Sequence, residues 1–278
     1  PVRMKMPRLR TILLAPFVLF AVFYTGIAVL LLFRNEPITL LTSTPADYSN
    51  VAIFGASGTA GDGILKAALR NPEIEIIHVV TRRPTSRIEE GVAAGKVQMH
   101  LHMDYLDYSS IREKLIDTDA VYWAIGTSAV GVDEETYGKI HVDFPVRFAK
   151  EWLATSEKDD ISFHYISSSD ISEESSMMWA REKLRAEKTL FNVAQGTKLR
   201  VIAYRPDYIG PTAEEAHFGQ RLLYWFFAPV GAAVRATQIG EAMFEVSARG
   251  TEFGNGDRLG TWNIRRHSAA FEQRRSVN

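Results

Sequence analysis

The 278-residue sequence has no cysteine. No disulfide can staple it, no thiolate can act as a nucleophile, and no structural zinc site can be built from thiolates. That absence suits an oxidising and a reducing compartment equally. Charge of either sign is not in excess: 32 Lys and Arg face 33 Asp and Glu, for a formal net charge of -1. Composition therefore gives no reason to expect nucleic acid or an anionic surface as the partner of a folded domain. Internal repeats and low-complexity tracts are also missing, which excludes a solenoid or a disordered array. What remains, 46% hydrophobic and 23% charged, is globular and long enough for one large α/β domain with additions.

Residues 11–33 carry no charge at all. As a helix rising about 1.5 Å per residue, this run matches a bilayer core of roughly 30 Å. A cleavable signal has an apolar region of about 7–15 residues and a small-residue cleavage site; this run is longer and ends in Leu-Leu-Phe, which favours an uncleaved, single-pass anchor in contact with the lipid bilayer. The basic leader, residues 1–10, holds Arg3, Lys5, Arg8 and Arg10, while only Arg34 follows closely. The positive-inside rule then keeps the N-terminus cytosolic and sends the domain across, favouring the endoplasmic reticulum. A basic, acid-free leader is also compatible with a mitochondrial membrane, and a tail-like insertion would leave the domain in the cytosol. Residues 34–49, with Pro37 and Pro45 among Ser and Thr, read as a linker to a domain over 50–278.

That domain opens with a short apolar run that breaks into glycines at a spacing of three, Gly55-Ala-Ser57-Gly58-Thr59-Ala60-Gly61, and then turns helical. The pattern reads as strand, phosphate loop, helix. Gly55 permits a sharp turn, Gly58 lets backbone approach a pyrophosphate, and Gly61 lets the helix lie close to the sheet, with the helix N-terminus facing the anion. The spacing departs from Gly-x-Gly-x-x-Gly, and a glycine-rich turn with no ligand is the bland alternative. Strands follow at 75–80, 96–101, 119–125, 161–167 and 199–204, with helices near 109–116, 134–153, 177–193 and 238–247 between or after them. The alternation predicts an α/β, doubly wound parallel sheet of Rossmann type behind the single N-terminal transmembrane helix.

The end of the second strand usually carries an acid where a site takes NAD. Here it reads Thr81-Arg82-Arg83-Pro84. An acid would repel a 2′-phosphate, whereas two guanidiniums can grip one through charge-assisted hydrogen bonds, so the cofactor expected is NADP. Elsewhere, His100 and His102 alternate toward one strand face without a third ligand nearby. Asp133-Glu134-Glu135 suits a solvated helix start. The aromatic run 222–229 suits a substrate cover, core packing or a membrane-facing lip.

Gly55 to Gly61, Arg82 and Arg83, Met103-Asp104-Tyr105, Ala124-Ile125-Gly126-Thr127, Tyr165-Ile166-Ser167-Ser168-Ser169, Lys183 and Arg205-Pro206 together resemble the atypical short-chain dehydrogenases/reductases. Within these they resemble the group of the human Tat-interacting oxidoreductase and its fungal mitochondrial relatives. The resemblance covers roughly residues 51–250. It implies that Asp104 and Tyr105 lie by the adenine, that Gly126 and Thr127 pass along the ribose and nicotinamide, and that Pro206 and the residues to 209 close over the nicotinamide end. The substrate-covering region would span about 205–265. In such enzymes a Ser polarises the substrate carbonyl, a Tyr protonates it, and a Lys one helical turn later lowers the Tyr pKa and holds the ribose. Ser167 or Ser168 and Lys183 fill two of these places. Aligning Lys183 puts Trp179 in the tyrosine's place, and an indole N–H cannot titrate as a general acid. A proton would have to come from Tyr208, Tyr165, His164 or water. The chain is thus expected to be an NADP-dependent reductase of a small apolar carbonyl or enone, or a catalytically silent cofactor-binding scaffold or sensor.

Overall fold

The computed structural model describes residues 9–33, 41, 44–212 and 218–277. Most of the basic leader and of the expected linker lies outside the described residues. The charge-free run is one helix, α1 (Leu9–Leu32). Its Leu14–Leu31 stretch has a mean hydropathy of 2.3 and buries no residue against the protein. In length and composition it is able to cross a bilayer.

The chain then alternates as its periodicity demands: β1 (Asn50–Phe54), α2 (Thr59–Arg70), β2 (Ile76–Thr81), α3 (Ser86–Ala93), β3 (Val97–Leu101) and β4 (Ala120–Trp123). There follow α4 (Glu134–Gly138), α5 (Phe144–Thr155), β5 (Ile161–Ile166), α6 (Met178–Ala194) and β6 (Leu199–Arg205). The last part holds β7 (Tyr208–Gly210), α7 (Phe218–Phe227), β8 (Ala233–Arg235), α8 (Ala236–Ala248), β9 (Arg258–Gly260) and α9 (Thr261–Val277). Seven strands form one parallel sheet in the order β3-β2-β1-β4-β5-β6-β9. The expected doubly wound Rossmann-type sheet is present.

The sheet's interior strands are covered on both faces, which is why they are nearly continuous runs of Val, Ile, Phe and Tyr. Along β1, Val51 and Ile53 join the core built with α2 and α8, while Ala52 and Phe54 join the opposite core with α5 and α6. On that second face Phe54 stacks on Trp123 with ring centroids 4.7 Å apart.

Three expectations are corrected. The helix expected at 109–116 is a single 3-10 turn, Arg112–Leu115, whose neighbours Tyr108 and Ile111 still plug the core at a helical spacing. The helix expected at 134–153 contains a π-helical segment, Lys139–Asp143, between α4 and α5. Pro145 supplies the reason: it has no N–H to return to the carbonyl of His141. The Tyr165 hydroxyl takes that carbonyl instead, at 3.1 Å. Finally, His102 lies beyond the end of β3 and packs on Tyr108, whereas His100 hydrogen-bonds His78 on β2 at 2.9 Å, so the two imidazoles have separate partners. Asp133 does start its helix as expected, its carboxylate accepting from the Thr136 amide at 2.8 Å.

Candidate cofactor cleft

β1 and β4 are neighbours, yet the chain leaves them in opposite directions across the sheet, and such a switch point opens a crevice at the strands' carboxyl ends. The crevice here is a cleft of about 390 Å³. Its floor is the glycine turn. Gly55 has φ +82°, and a Cβ there would come within 2.7 Å of the Ala124 carbonyl carbon, so neither backbone nor space admits a side chain. A Cβ on Gly61 would drive into the Gly55 carbonyl oxygen; that position fixes how closely α2 meets the turn. Gly58 differs, because a Cβ there meets only the Gly55 oxygen at 3.5 Å. It is exposed, lines the cleft beside Ser57, and caps α2 without any side-chain hydrogen bond. Thr59 is exposed and Ala60 packs against the core, and neither lines the cleft.

Arg82 and Arg83 stand at the cleft's rim. The buried Thr81 hydroxyl donates to the Arg83 carbonyl at 2.8 Å and accepts from the Arg83 amide at 3.3 Å, which fixes the turn carrying both guanidiniums. Among the described residues neither arginine has a carboxylate partner. Arg87 contrasts with them: its Nε is 2.7 Å from the buried carboxylate of Asp62, which also accepts from Thr212 Oγ1 at 3.3 Å. That contact ties α2 to α3 and to the segment after β7.

Tyr105 lines the wall beside Arg82, and burial pushes its hydroxyl up to about 12, against the pull of the Arg82 charge. Asp104 is exposed and does not line the cleft; its carboxylate accepts from the Leu106 amide at 3.0 Å and shapes the turn that carries Tyr105. Opposite, Gly126 and Thr127 line the cleft. The Thr127 amide donates to Nε2 of His141 at 3.1 Å, and Gly126 lies flat against that imidazole, where a Cβ would be 2.8 Å from Cε1. Burial, with the Lys183 charge adding to it, lowers His141 to about 3, so it is neutral near pH 7. The Thr127 carbonyl oxygen lies 3.2 Å from the same Nε2, so this nitrogen meets both the amide and the carbonyl of Thr127, while Nδ1 is buried without a hydrogen-bond partner among the described residues. Sequence reading missed His141 and its stacking partner Tyr137, whose centroid is 4.0 Å away. Pro145 inside an expected helix was the available signal.

The expected catalytic residues lie beyond the cleft's described lining. Ser167 follows β5, is buried, and has an Oγ with no hydrogen-bond partner among the described residues; Ser168 beside it is half-buried. The buried Lys183 donates from Nζ to the Ile166 carbonyl at 2.7 Å and rests 5.1 Å from the Tyr165 ring centroid. Desolvation lowers its pKa to about 7, against the pull of Glu187. Trp179, half-buried, is one turn earlier on α6. Pro206 is buried, and its carbonyl accepts from the Ser169 amide at 3.3 Å, which brings the segment after β6 against the serine turn. Tyr208, half-buried, donates to the Gln220 carbonyl at 3.4 Å, and burial raises its pKa. Tyr165 is committed to the His141 carbonyl, and His164 is fully buried on the sheet's other face between Tyr204 and Ser162.

No protein-family model matches the chain. It is 28% identical over 142 residues to leucinostatins biosynthesis cluster protein T of Purpureocillium lilacinum, a match that spans about half of either chain. Among solved structures it resembles a 3-oxoacyl-[acyl-carrier protein] reductase from Brucella melitensis, with TM-score 0.59 and 16% identity over 78% of this chain and 96% of that one. The NADPH-dependent 3-quinuclidinone reductase of Rhodotorula rubra is similar at TM-score 0.59 and 13% identity, over 82% and 96%. A UDP-glucuronic acid 4-epimerase from Bacillus cereus, solved with NAD, has TM-score 0.57 and 15% identity over 76% of each chain. At such identities the likeness concerns architecture: the chain shares a Rossmann-type α/β fold with these proteins.

Proposed function

We propose that this chain is a membrane-anchored, NADP-binding reductase of short-chain dehydrogenase type that acts on a small apolar carbonyl or enone. The observation that carries the reading is the switch-point cleft: an open glycine turn on one side and, at the end of β2, two guanidiniums that have no carboxylate partner among the described residues. Gly58 admits a pyrophosphate to the N-terminus of α2, and Arg82 and Arg83 suit a 2′-phosphate. Tyr105 gives the adenine an apolar wall. His141 holds Gly126 and Thr127 in place as the wall along the ribose and nicotinamide.

When bound, the reduced nicotinamide supplies a hydride. The unpartnered Ser167 hydroxyl is suited to donate to the substrate oxygen, with Ser168 next to it. Lys183 orders the end of β5 through the Ile166 carbonyl and titrates near neutrality. Tyr208, tied to the serine turn through Pro206, is the candidate proton donor. The narrower kinship with the Tat-interacting oxidoreductase group rests on the motifs named above, and a relative from a biosynthesis cluster agrees with small-molecule chemistry. The apolar α1 and the basic residues before it support a single-pass anchor, in the endoplasmic reticulum or in a mitochondrial membrane.

Trp179 favours a second reading, a Rossmann scaffold or sensor that holds cofactor without turnover, since general acid catalysis is typically worth about 10²- to 10⁴-fold. Calorimetric titration of the full-length protein in mild detergent tests the cofactor assignment common to both. NADPH is expected to bind more tightly than NADH, and the double variant Arg82→Ala/Arg83→Ala to lose that preference, a change of about tenfold or more. Equal affinities in the native protein would remove the 2′-phosphate argument.

A further inference from the structure

α7 buries none of its residues, although most of them are apolar. At 100° per residue, Phe218, Leu222, Trp225 and Phe226 fall on one face at the spacing i, i+4, i+7, i+8. This is the outward face, with 81%, 56%, 67% and 45% of these residues exposed. The face turned to the protein carries Gln220, Tyr224 and Phe227. There the Tyr224 ring packs on Gly210, Phe227 lies 5.7 Å from the Tyr208 ring, and the Gln220 carbonyl accepts from Tyr208. A water-soluble domain turns the apolar stripe of a surface helix inward; α7 presents one outward.

The outward face continues onto α1. Phe226 stacks with Phe20 and with Tyr24, at centroid distances of 6.3 and 5.5 Å, and Leu222 and Trp225 join Phe20 and Tyr24 around an open apolar groove. The Tyr24 hydroxyl donates to the main-chain carbonyl of Phe226 at 2.6 Å. That carbonyl belongs to the last turn of α7, where intrahelical partners run out. In water the solvent would serve it, whereas in hydrocarbon an unpaired carbonyl costs several kcal/mol and has to be met by protein. Tyr24 lies eight residues before the end of α1, about 12 Å at 1.5 Å per residue, which sets the depth at which α7 meets it.

We propose that α7 is a second membrane element: a helix that inserts its Phe218, Leu222, Trp225 and Phe226 face into the lipid that α1 crosses, seating the segment after β6 on the bilayer. The proposal rests on the anchor reading of α1, and its test separates the two. The full-length protein is reconstituted into phosphatidylcholine vesicles, with and without bromine on the acyl chains, and floated on a density gradient. Flotation reports α1. Bromine quenching of Trp225, taken as the difference between native protein and Trp225→Phe, reports α7.

Native emission is expected to fall in brominated vesicles by a component that Trp225→Phe lacks. Because the chain has no cysteine, Leu222→Cys carries a unique thiol; a fluorophore on it is expected to shift to the blue in vesicles and to resist aqueous iodide. Protein that floats while Trp225 escapes bromine and the Leu222→Cys label is quenched by iodide overturns the proposal and leaves the anchor standing. Disulfide-linked Leu222→Cys pairs without bromine quenching overturn it in favour of a second copy of the chain. Protein that fails to float overturns both.

Discussion

Trp179 and Lys183 stand one helical turn apart on α6, the indole half-buried and the ammonium wholly buried. An indole in that place neither titrates nor passes a proton. Lys183 donates to the Ile166 carbonyl and rests over the Tyr165 ring, whose hydroxyl is held by the His141 carbonyl. Under the proposed reductase reading, the frame of a proton relay is kept and its terminal group replaced.

NADPH oxidation against a panel of apolar aldehydes, ketones and enones separates the two readings of this site. Native turnover that is lost in Lys183→Ala and falls in Tyr208→Phe supports the enzyme. Silence in the native protein, with activity gained in Trp179→Tyr, supports the scaffold. A gain by Trp179→Tyr of about 10²-fold or more is the expected size for restoring a general acid.

The glycine turn makes a prediction in which stability and binding part company. Gly61→Ala drives a methyl into the Gly55 carbonyl and should cost about 1–3 kcal/mol in chemical denaturation, as overpacking does. Gly58→Ala meets only ordinary contact and should leave the denaturation midpoint nearly unchanged while weakening NADPH binding in calorimetry. If Gly58→Ala binds as the native protein does, the pyrophosphate does not approach that residue.

Acid should destabilise the protein well before its carboxylates titrate. Burial lowers His78 to about 4, with His100 adding to it, and His164 to about 3; His267 falls to about 4 and His141 to about 3 for the same main reason. The folded values lie below the ordinary 6.5, so between about 6.5 and 3 the unfolded chain binds more protons than the folded one. Stability is therefore lost as pH falls through that window, by about 1.4 kcal/mol per pH unit for each proton taken up. Urea midpoints measured from pH 7.5 to 4.5 check this. A midpoint that stays level below 6.5 would contradict burial of these imidazoles in neutral form.

For the anchor, the full-length protein is expected to stay in the membrane pellet after carbonate washing. Protease protection of the C-terminus in sealed vesicles then reports the side on which the domain lies. Release into the supernatant would show that α1 is removed or sheltered within protein.

The cleft was legible because its parts are local. Gly55 needs a positive φ, Gly61 needs to lack a Cβ, and Arg82 follows at the end of the next strand, so order and spacing along the chain place all three. The support beneath Thr127 was not legible. His141 reaches it from a helix whose π-helical segment arises where Pro145 fails to donate, and no apolar periodicity records a missing N–H. The three-residue strands β7, β8 and β9 are too short to show alternation, and they owe their pairing to neighbours distant in sequence. Asp104 was placed by motif beside the adenine, yet in the structure its carboxylate serves its own turn.

The outward face of α7, held to α1 through Tyr24 and Phe226, bears on how activity would be measured. A protein seated on the bilayer by two elements meets a lipid-soluble substrate by diffusion within the plane, so the relevant concentration is moles of substrate per mole of lipid. Adding inert phosphatidylcholine at constant total substrate would then slow the reaction by surface dilution, whereas enlarging the aqueous volume at a fixed substrate-to-lipid ratio would leave the rate per protein unchanged.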